Sequence, residues 1–162
     1  MLINLCYTEL ESPIGRVFVQ ADGEAVTGLY LPGHKGWAGG PADGSRRSDQ
    51  SLKSVRTQLA EYFAGERQEF DVPLKSTGTP FQERVWRALL EIPYGTTISY
   101  AELARRVGQP TASRAVGAAN GRNPISILVP CHRVVGANGQ LTGYGGGLEA
   151  KRWLLEWEAG SP

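Results

Sequence analysis

Ile125-Ser126-Ile127-Leu128-Val129-Pro130-Cys131-His132-Arg133-Val134 is a short apolar run, closed by a proline, with a thiol and an imidazole side by side behind it. Such a run reads as a strand that delivers Cys131 and His132 to one loop. A cysteine is a good nucleophile only as thiolate. With an ordinary pKa near ~8.5, little is ionised at neutral pH unless a base or cation helps, and His132 is the obvious base. Neighbours on an extended chain point to opposite faces, so the two groups meet only if the backbone turns or a water bridges them. Pro130 and the polar residues after it favour a turn. Equally, a lone cysteine beside a strand is commonly a small core residue, and Cys-His alone does not decide between packing and catalysis.

Downstream, Val134-Val135 and Asn138-Gly139 suggest a hairpin turn. Thr142-Gly143-Tyr144-Gly145-Gly146-Gly147 either lets backbone approach a ligand, with Tyr144 to stack on it, or is a flexible linker. It is no dinucleotide fingerprint, because no strand-turn-helix unit with a downstream acid accompanies it. A final helix from Leu148 to about Glu158 is expected to bury Leu148, Leu154, Leu155 and a tryptophan, leaving Lys151 and Arg152 outside.

Upstream, Ser99 with Glu102 three residues on marks a capping box for a helix over Tyr100–Val107, and Gly108-Gln109-Pro110 leads into a third helix from Thr111 or Ala112 to Asn120. Two short helices across a three-residue turn are a helix-turn-helix candidate, although many helical domains contain such corners. Earlier still, Thr79-Pro80-Phe81-Gln82 opens a helix with a Thr cap, Pro in the first position and Gln completing a capping box. Phe81, Val85, Leu89 and Trp86 supply its apolar side, and Ile92-Pro93-Tyr94-Gly95 ends it.

In the first half, Leu2–Thr8, Arg16–Ala21 and Val26–Leu31 read as an antiparallel meander with turns at Ser12-Pro13-Ile14-Gly15 and Asp22-Gly23. Residues 32–48 are glycine-rich and read as a mobile loop that Trp37 pins on one side. Leu52, Val55, Leu59, Tyr62 and Phe63 fall at helical spacing, with Asp49 or Ser48 as N-cap and Gly65 just past the end; Glu69–Leu74 offers a last strand.

The 162 residues carry a formal charge of +1, which argues against a generally basic nucleic-acid binder. Between Thr97 and Val134, however, Arg105, Arg106, Arg114, Arg122 and Arg133 face Glu102 alone, a local excess of +4. Cys6, Cys131, His34 and His132 lack the spacing of a metal site. Met1–Leu10 has no signal-peptide character and no apolar run reaches spanning length, so the expected setting is the reducing cytoplasm, away from membranes.

Taken in order, Thr79-Pro80-Phe81-Gln82, Val85-Trp86, Ile92-Pro93-Tyr94-Gly95-Thr96-Thr97, Ser99-Tyr100, Arg114-Ala115-Val116-Gly117, Asn120-Gly121-Arg122-Asn123-Pro124, Pro130-Cys131-His132-Arg133-Val134 and Thr142-Gly143-Tyr144-Gly145-Gly146-Gly147-Leu148 resemble the blocks of the O6-alkylguanine-DNA alkyltransferases, the methylated-DNA–protein-cysteine methyltransferases. The resemblance spans Thr79 to Glu158; the first half resembles the family's variable N-terminal domain more loosely. The implied fold is α+β: a small N-terminal antiparallel sheet with a covering helix over 1–75, then a mainly helical domain over 79–162, with a helix-turn-helix and a short strand pair carrying the active-site loop. The implied activity is direct reversal of DNA damage, in which the alkyl group on guanine O6 moves irreversibly to Cys131 and each molecule acts once, without cofactor or metal.

By the same resemblance His132 is the base acting through a water, Glu158 orients it, Tyr100 contacts the phosphate of the flipped nucleotide and protonates the leaving guanine, and Asn123 braces the loop. Glu156 lies close in sequence, but the Leu154-Leu155 spacing favours Glu158. Arg114, with Ala115, Gly117 and Arg122, is expected at the minor groove of double-stranded DNA, where Arg114 replaces the extruded base without reading sequence. Tyr144, Val134, Gly145 and Ser126 are expected around the base pocket. Gly145 stands where some relatives have Ser, and Ser126 where some have Pro, which bears on tolerance for bulky alkyl groups. The implied state is a monomer, with cooperative packing along DNA left open. Two other readings stand beside this one. A non-enzymatic alkyltransferase-like lesion sensor is opposed by the presence of Cys131, and a cysteine hydrolase by the +4 helix-turn-helix segment.

Overall fold

The computed structural model describes residues 4–160. β1 (Leu5–Ser12), β2 (Gly15–Asp22) and β3 (Ala25–Tyr30) form the expected meander. β1 runs to Ser12, past the expected end at Thr8, because only Pro13 and Ile14 lie between the paired residues Ser12 and Gly15. Leu2 and Ile3 lie outside the described residues. Val17, Val19 and Ala21 alternate onto the core face, as a period of two requires.

The reading of 32–48 as a mobile loop needs correction. Residues 46 and 47 form β4 (Arg46–Arg47), which pairs parallel with β1 and gives the order β3-β2-β1-β4. Phe18 points away from the core face, and the loop covers it. Trp37 packs on Phe18 at 5.0 Å and stacks on Tyr30 at 5.2 Å, while Tyr7 stacks on Phe18 from the other side. Burial of these rings holds the segment on the sheet.

α1 (Lys53–Phe63) covers the other face with Val55, Leu59 and Tyr62, and Gly65 follows at φ +80°, where a residue without a side chain is favoured. Neither Asp49 nor Ser48 caps it. Leu52 occupies the cap position without a side-chain bond, while Asp49 accepts from Thr8 and Arg47. The expected strand over Glu69–Leu74 is also absent: only Leu74 bridges to Val26. Pro73 has no N–H to give a ladder, and the Asp71 amide donates instead to Gln58.

In the second half α2 (Pro80–Leu89) starts at a complete capping box in which Thr79 accepts from the Gln82 amide and Gln82 from the Thr79 amide. Val85, Trp86 and Leu89 are buried, and Trp86 donates its indole N–H to the Ala119 carbonyl, 2.8 Å away. β5 (Ile98–Ser99) leads into α3 (Tyr100–Arg106), where Ser99 accepts from Glu102 but the second capping box is only half formed: the Glu102 carboxylate pairs with Arg105 and Arg106 instead. α4 (Ser113–Gly121) completes the helix-turn-helix. β6 (Val134–Val135) pairs parallel with β5, and α5 (Leu148–Gly160) closes the chain. Asn138 and Gly139 do form a tight turn, both at positive φ, but no strand follows it.

Thr79→Ala removes one cap acceptor and leaves the Gln82 amide unpaired, which should cost about 1 kcal/mol and lower Tm by roughly 2–4 °C. Urea and thermal unfolding of the variant measure both; an unchanged midpoint would show that the cap carries no stability here.

Candidate active site

Ile125–Val129 is a turn, and the strand expected there does not form. Ile125 makes one bridge to Leu29, after which the chain reverses and the Val129 amide donates to the Ile125 carbonyl at 3.0 Å. Asn123 imposes this. Its buried amide accepts from the Ile125 N–H at 3.0 Å and donates to the Val129 carbonyl at 2.9 Å, tying both ends of the turn. Ile127 is thereby held at φ +71°, a conformation that costs a β-branched residue roughly 1–3 kcal/mol. Cys131–Arg133 then form one 3-10 turn, so the backbone does turn at the Cys-His pair, and Asn120 donates to the Cys131 carbonyl at 3.4 Å.

His132 is fully buried, and its Nε2 lies 2.9 Å from Glu158 Oε2. Glu158, near the end of α5, is 4% exposed; Glu156 is exposed and points elsewhere. Arg133 donates from Nε to Oε1 at 2.8 Å and from Nη2 to Oε2 at 2.9 Å, and Tyr62 donates its hydroxyl to Oε2 at 2.7 Å. Burial alone would raise the Glu158 pKa, but the hydrogen bonds and charges of His132 and Arg133 overcome it and hold the carboxyl at about 2. An ionised carboxylate can only accept, so His132 carries its proton on Nε2 and presents Nδ1 as a lone pair. That Nδ1 is buried without a partner among the described residues, and burial lowers the imidazole's pKa, which keeps it a neutral base.

Cys131 is a protonated thiol at rest. Burial pushes its pKa up to about 11, against the opposing pull of Asn123, Lys151 and Ser126. Lys151, expected outside, is fully buried: its ammonium donates to the Thr142 carbonyl at 2.9 Å and lies 5.9 Å from the Tyr100 ring centre. Burial depresses its pKa to about 8. Leu148, expected in the core, is 46% exposed at the first turn of α5.

A groove of about 470 Å³ gathers Tyr100, Arg114, Gly117, Thr142, Tyr144 and Gly145, so the residues assigned to DNA and to the base pocket do meet. Thr142 donates its hydroxyl to that of Tyr100 at 2.9 Å, and a Cβ on Gly117 would touch the Tyr100 ring. Val134 and Ser126 are buried and do not line this groove, and Cys131 is only 4% exposed. Tyr144, which lines the groove, is itself buried, and burial raises the pKa of its phenol. Ala115 is exposed on α4, and Arg122 is exposed just past its end.

The +4 excess is smaller at the surface than in the sequence. Arg133 is spent on Glu158, and Arg105 and Arg106 share Glu102. Among the described residues only Arg114 and Arg122 of the five make no ion pair. The sequence reading also missed Tyr62, Lys151 and His34 as neighbours of the site. Tyr62 looked like one more member of an apolar stripe, and His34 sat in a loop. In the structure the His34 ring packs where a Cβ on Gly145 would have to go, and the Lys35 amide donates to the Gly145 carbonyl at 3.0 Å.

An α+β chain that sets a buried Cys-His-Glu array beside a helix-turn-helix is thus the class of protein defined here. Two family models match it: the 6-O-methylguanine DNA methyltransferase ribonuclease-like domain over residues 5–76 and the DNA-binding domain of the same proteins over residues 80–160. A methylated-DNA–protein-cysteine methyltransferase of Mycobacterium tuberculosis is 51% identical over 158 residues, covering 94% of this chain and 91% of the relative, and one of Methanosarcina acetivorans is 49% identical over 153 residues, covering 94% and 97%. The crystal structure of Mycobacterium tuberculosis OGT in complex with DNA superposes with a TM-score of 0.89 at 49% identity, covering 95% of this chain and 92% of that one. The chain belongs to the methylated-DNA–protein-cysteine methyltransferase family.

The two buried groups set an acid sensitivity of one sign. Glu158 sits near 2 when folded, against about 4.3 unfolded, so the stability it contributes is complete above the unfolded value and is lost as pH falls towards 2. His132 is depressed as well, so protons again favour the unfolded chain once pH drops below about 6.5. Unfolding free energy measured against pH should therefore fall from neutrality into acid. Glu158→Gln should be less stable at neutral pH yet show a shallower acid slope; equal slopes would mean that other groups carry the effect.

Proposed function

We infer that this protein repairs O6-alkylguanine in double-stranded DNA by taking the alkyl group onto its own Cys131, once per molecule. The observation that carries the reading is the Cys131–His132–Glu158 array, with Nε2 of His132 bonded to Glu158 and Nδ1 left as an acceptor. His132 takes the thiol proton through a bridging water as the sulfur attacks the alkyl carbon. The carbon–oxygen bond breaks, and Tyr100 supplies the proton that the departing guanine needs. Attack at a saturated carbon requires no oxyanion hole, which separates the site from cysteine hydrolases.

The base must leave the stack to reach a thiol this deeply buried, at a cost of a few kcal/mol that contacts have to offset. Arg114, exposed on α4 at the rim of the groove, is the residue for the vacated position, and Ala115, Gly117 and Arg122 lie with it against the minor groove. That groove's degenerate pattern suits a protein that must not read sequence. Tyr144 and Gly145 receive the flipped base, with Ser126 and Val134 packed behind them, and Asn123 holds the cysteine turn. The 1–75 half acts as a domain that supports the 79–162 half. One monomer serves each lesion, in a reducing compartment such as the cytoplasm, where the acceptor stays a free thiol. Cys131 sets aside the non-enzymatic sensor, which would bind the lesion without a transferable acceptor.

Intact-protein mass spectrometry and peptide mapping after reaction with duplex DNA holding one O6-methylguanine should find one methyl group on Cys131 and a matching amount of restored guanine. Cys131→Ser should bind the same duplex and gain nothing; methylation of that variant would sink the assignment. Arg114→Ala should slow repair of the duplex by about tenfold or more while changing reaction with a free O6-alkylguanine base far less, since the arginine acts on extrusion. Equal losses on both substrates would refute that role.

A further inference from the structure

We propose that Tyr62 is a positioning residue for the alkyl transfer: its hydroxyl fixes the Glu158 carboxylate in the orientation that keeps the His132 proton on Nε2 and the Nδ1 lone pair available to Cys131. The inference rests on the alkyl-transfer reading above and extends the machinery into the first half of the chain, 96 residues away in sequence.

Glu158 Oε2 accepts from three donors, Tyr62 at 2.7 Å, His132 at 2.9 Å and Arg133 Nη2 at 2.9 Å, whereas Oε1 accepts Arg133 Nε. The crowded oxygen has no acceptor capacity to spare, so the carboxylate cannot turn without breaking a bond. Tyr62 has equally little freedom. It is fully buried, and its ring is held edge-on by Phe63 at 5.2 Å and by Tyr94 at 6.2 Å, with Phe70 tilted against it at 5.4 Å. Trp157, the residue before Glu158, donates its indole N–H to the Tyr62 carbonyl at 3.0 Å, so α1 and α5 are bonded in both directions at this point.

Loss of the phenol would act on His132 in a definite direction. A carboxylate with one donor fewer concentrates its negative charge on those that remain and favours the imidazolium more strongly. The base is then lost to protonation at a higher pH. The other groups that bear on this point, Arg133 and Cys131 from the cysteine turn, Tyr94 from the loop after α2 and Lys151 from α5, stay in place when only the Tyr62 oxygen is removed.

The test is single-turnover methyl transfer from a duplex with one O6-methylguanine, followed across about pH 5 to 8. Tyr62→Phe should lower the plateau rate several-fold and move the acid limb up by about half a unit, with the ring still packed. Placing 3-fluorotyrosine at position 62 strengthens the donor and should move the limb down, an arm that decides the matter should Tyr62→Phe fold poorly. Phe70→Leu, which trims the packing around the Tyr62 ring, should lower stability and leave the limb where it is. Profiles for the phenylalanine and fluorotyrosine proteins that overlay the wild type would overturn the proposal and leave Tyr62 a core residue. A wild-type protein that puts no methyl on Cys131 at any pH would instead overturn the alkyl-transfer reading.

Discussion

A carboxylate on a side chain only 2% exposed survives inside a protein only where donors replace the water it has lost. Glu158 accepts from Tyr62 of α1, and from His132 and Arg133 of the cysteine turn, while itself belonging to α5. One side chain therefore joins the helix that covers the sheet, the turn that carries Cys131 and His132, and the last helix of the chain. Arg133 does more than balance charge: its remaining nitrogen donates to the Ile92 carbonyl at 2.7 Å, and its guanidinium lies over the Tyr94 ring, so the helix breaker after α2 is anchored to the same point. The orientation of His132 and the contact between the two halves are thus set by one interaction.

The thiol is held differently. Nothing charged touches Cys131 closely enough to ionise it at rest, and burial keeps it near 11. The groups that favour the thiolate, Asn123 and Lys151, also shape the surroundings: Asn123 closes the turn before the cysteine, and Lys151 ties Thr142 of the glycine segment to α5. Ionisation is in this way coupled to the arrangement of the groove, since the ammonium that lowers the thiol's pKa is bonded to the glycine segment that lines it. In the proposed reaction, proton removal belongs to the reacting complex, and the group proposed for it is a neutral imidazole with an unpartnered Nδ1.

Local chemistry made much of this fold legible from residues alone. Thr79-Pro80-Phe81-Gln82 and Gly95 punctuate the helices where expected, and the helix-turn-helix lies at Tyr100–Gly121, whereas the short strand pair is implied by the resemblance alone and its partners, Ile98–Ser99 and Val134–Val135, are not foreseen. What stayed hidden depends on contacts distant in sequence. Ile125–Val129 has strand propensity, but the side chain of Asn123 bonds both its ends and forces the turn. Lys151 occupies the polar face of a helical wheel, yet the Thr142 carbonyl covers that face. Arg133 adds to the local excess of positive charge in the sequence, while its partner lies 25 residues on, and Tyr62 carries its one polar atom inside an otherwise apolar stripe. In the loop over 32–48 the anchoring by Trp37 is legible, but its partners Phe18 and Tyr30 and the pairing of Arg46–Arg47 with β1 have no signature in glycine content.

The buried, protonated thiol also bears on how long a molecule remains useful. A reagent consumed in its single reaction must wait unspent in the cell, and oxidation to sulfenic acid follows thiolate character and exposure. A low-pKa, surface cysteine would react faster with its target but would also be scavenged by peroxides and stray electrophiles before any damage arose. For Cys131 in its proposed role as acceptor, a neutral and nearly inaccessible thiol trades intrinsic reactivity for shelf life, and leaves recognition of the flipped base to decide when the reagent is used.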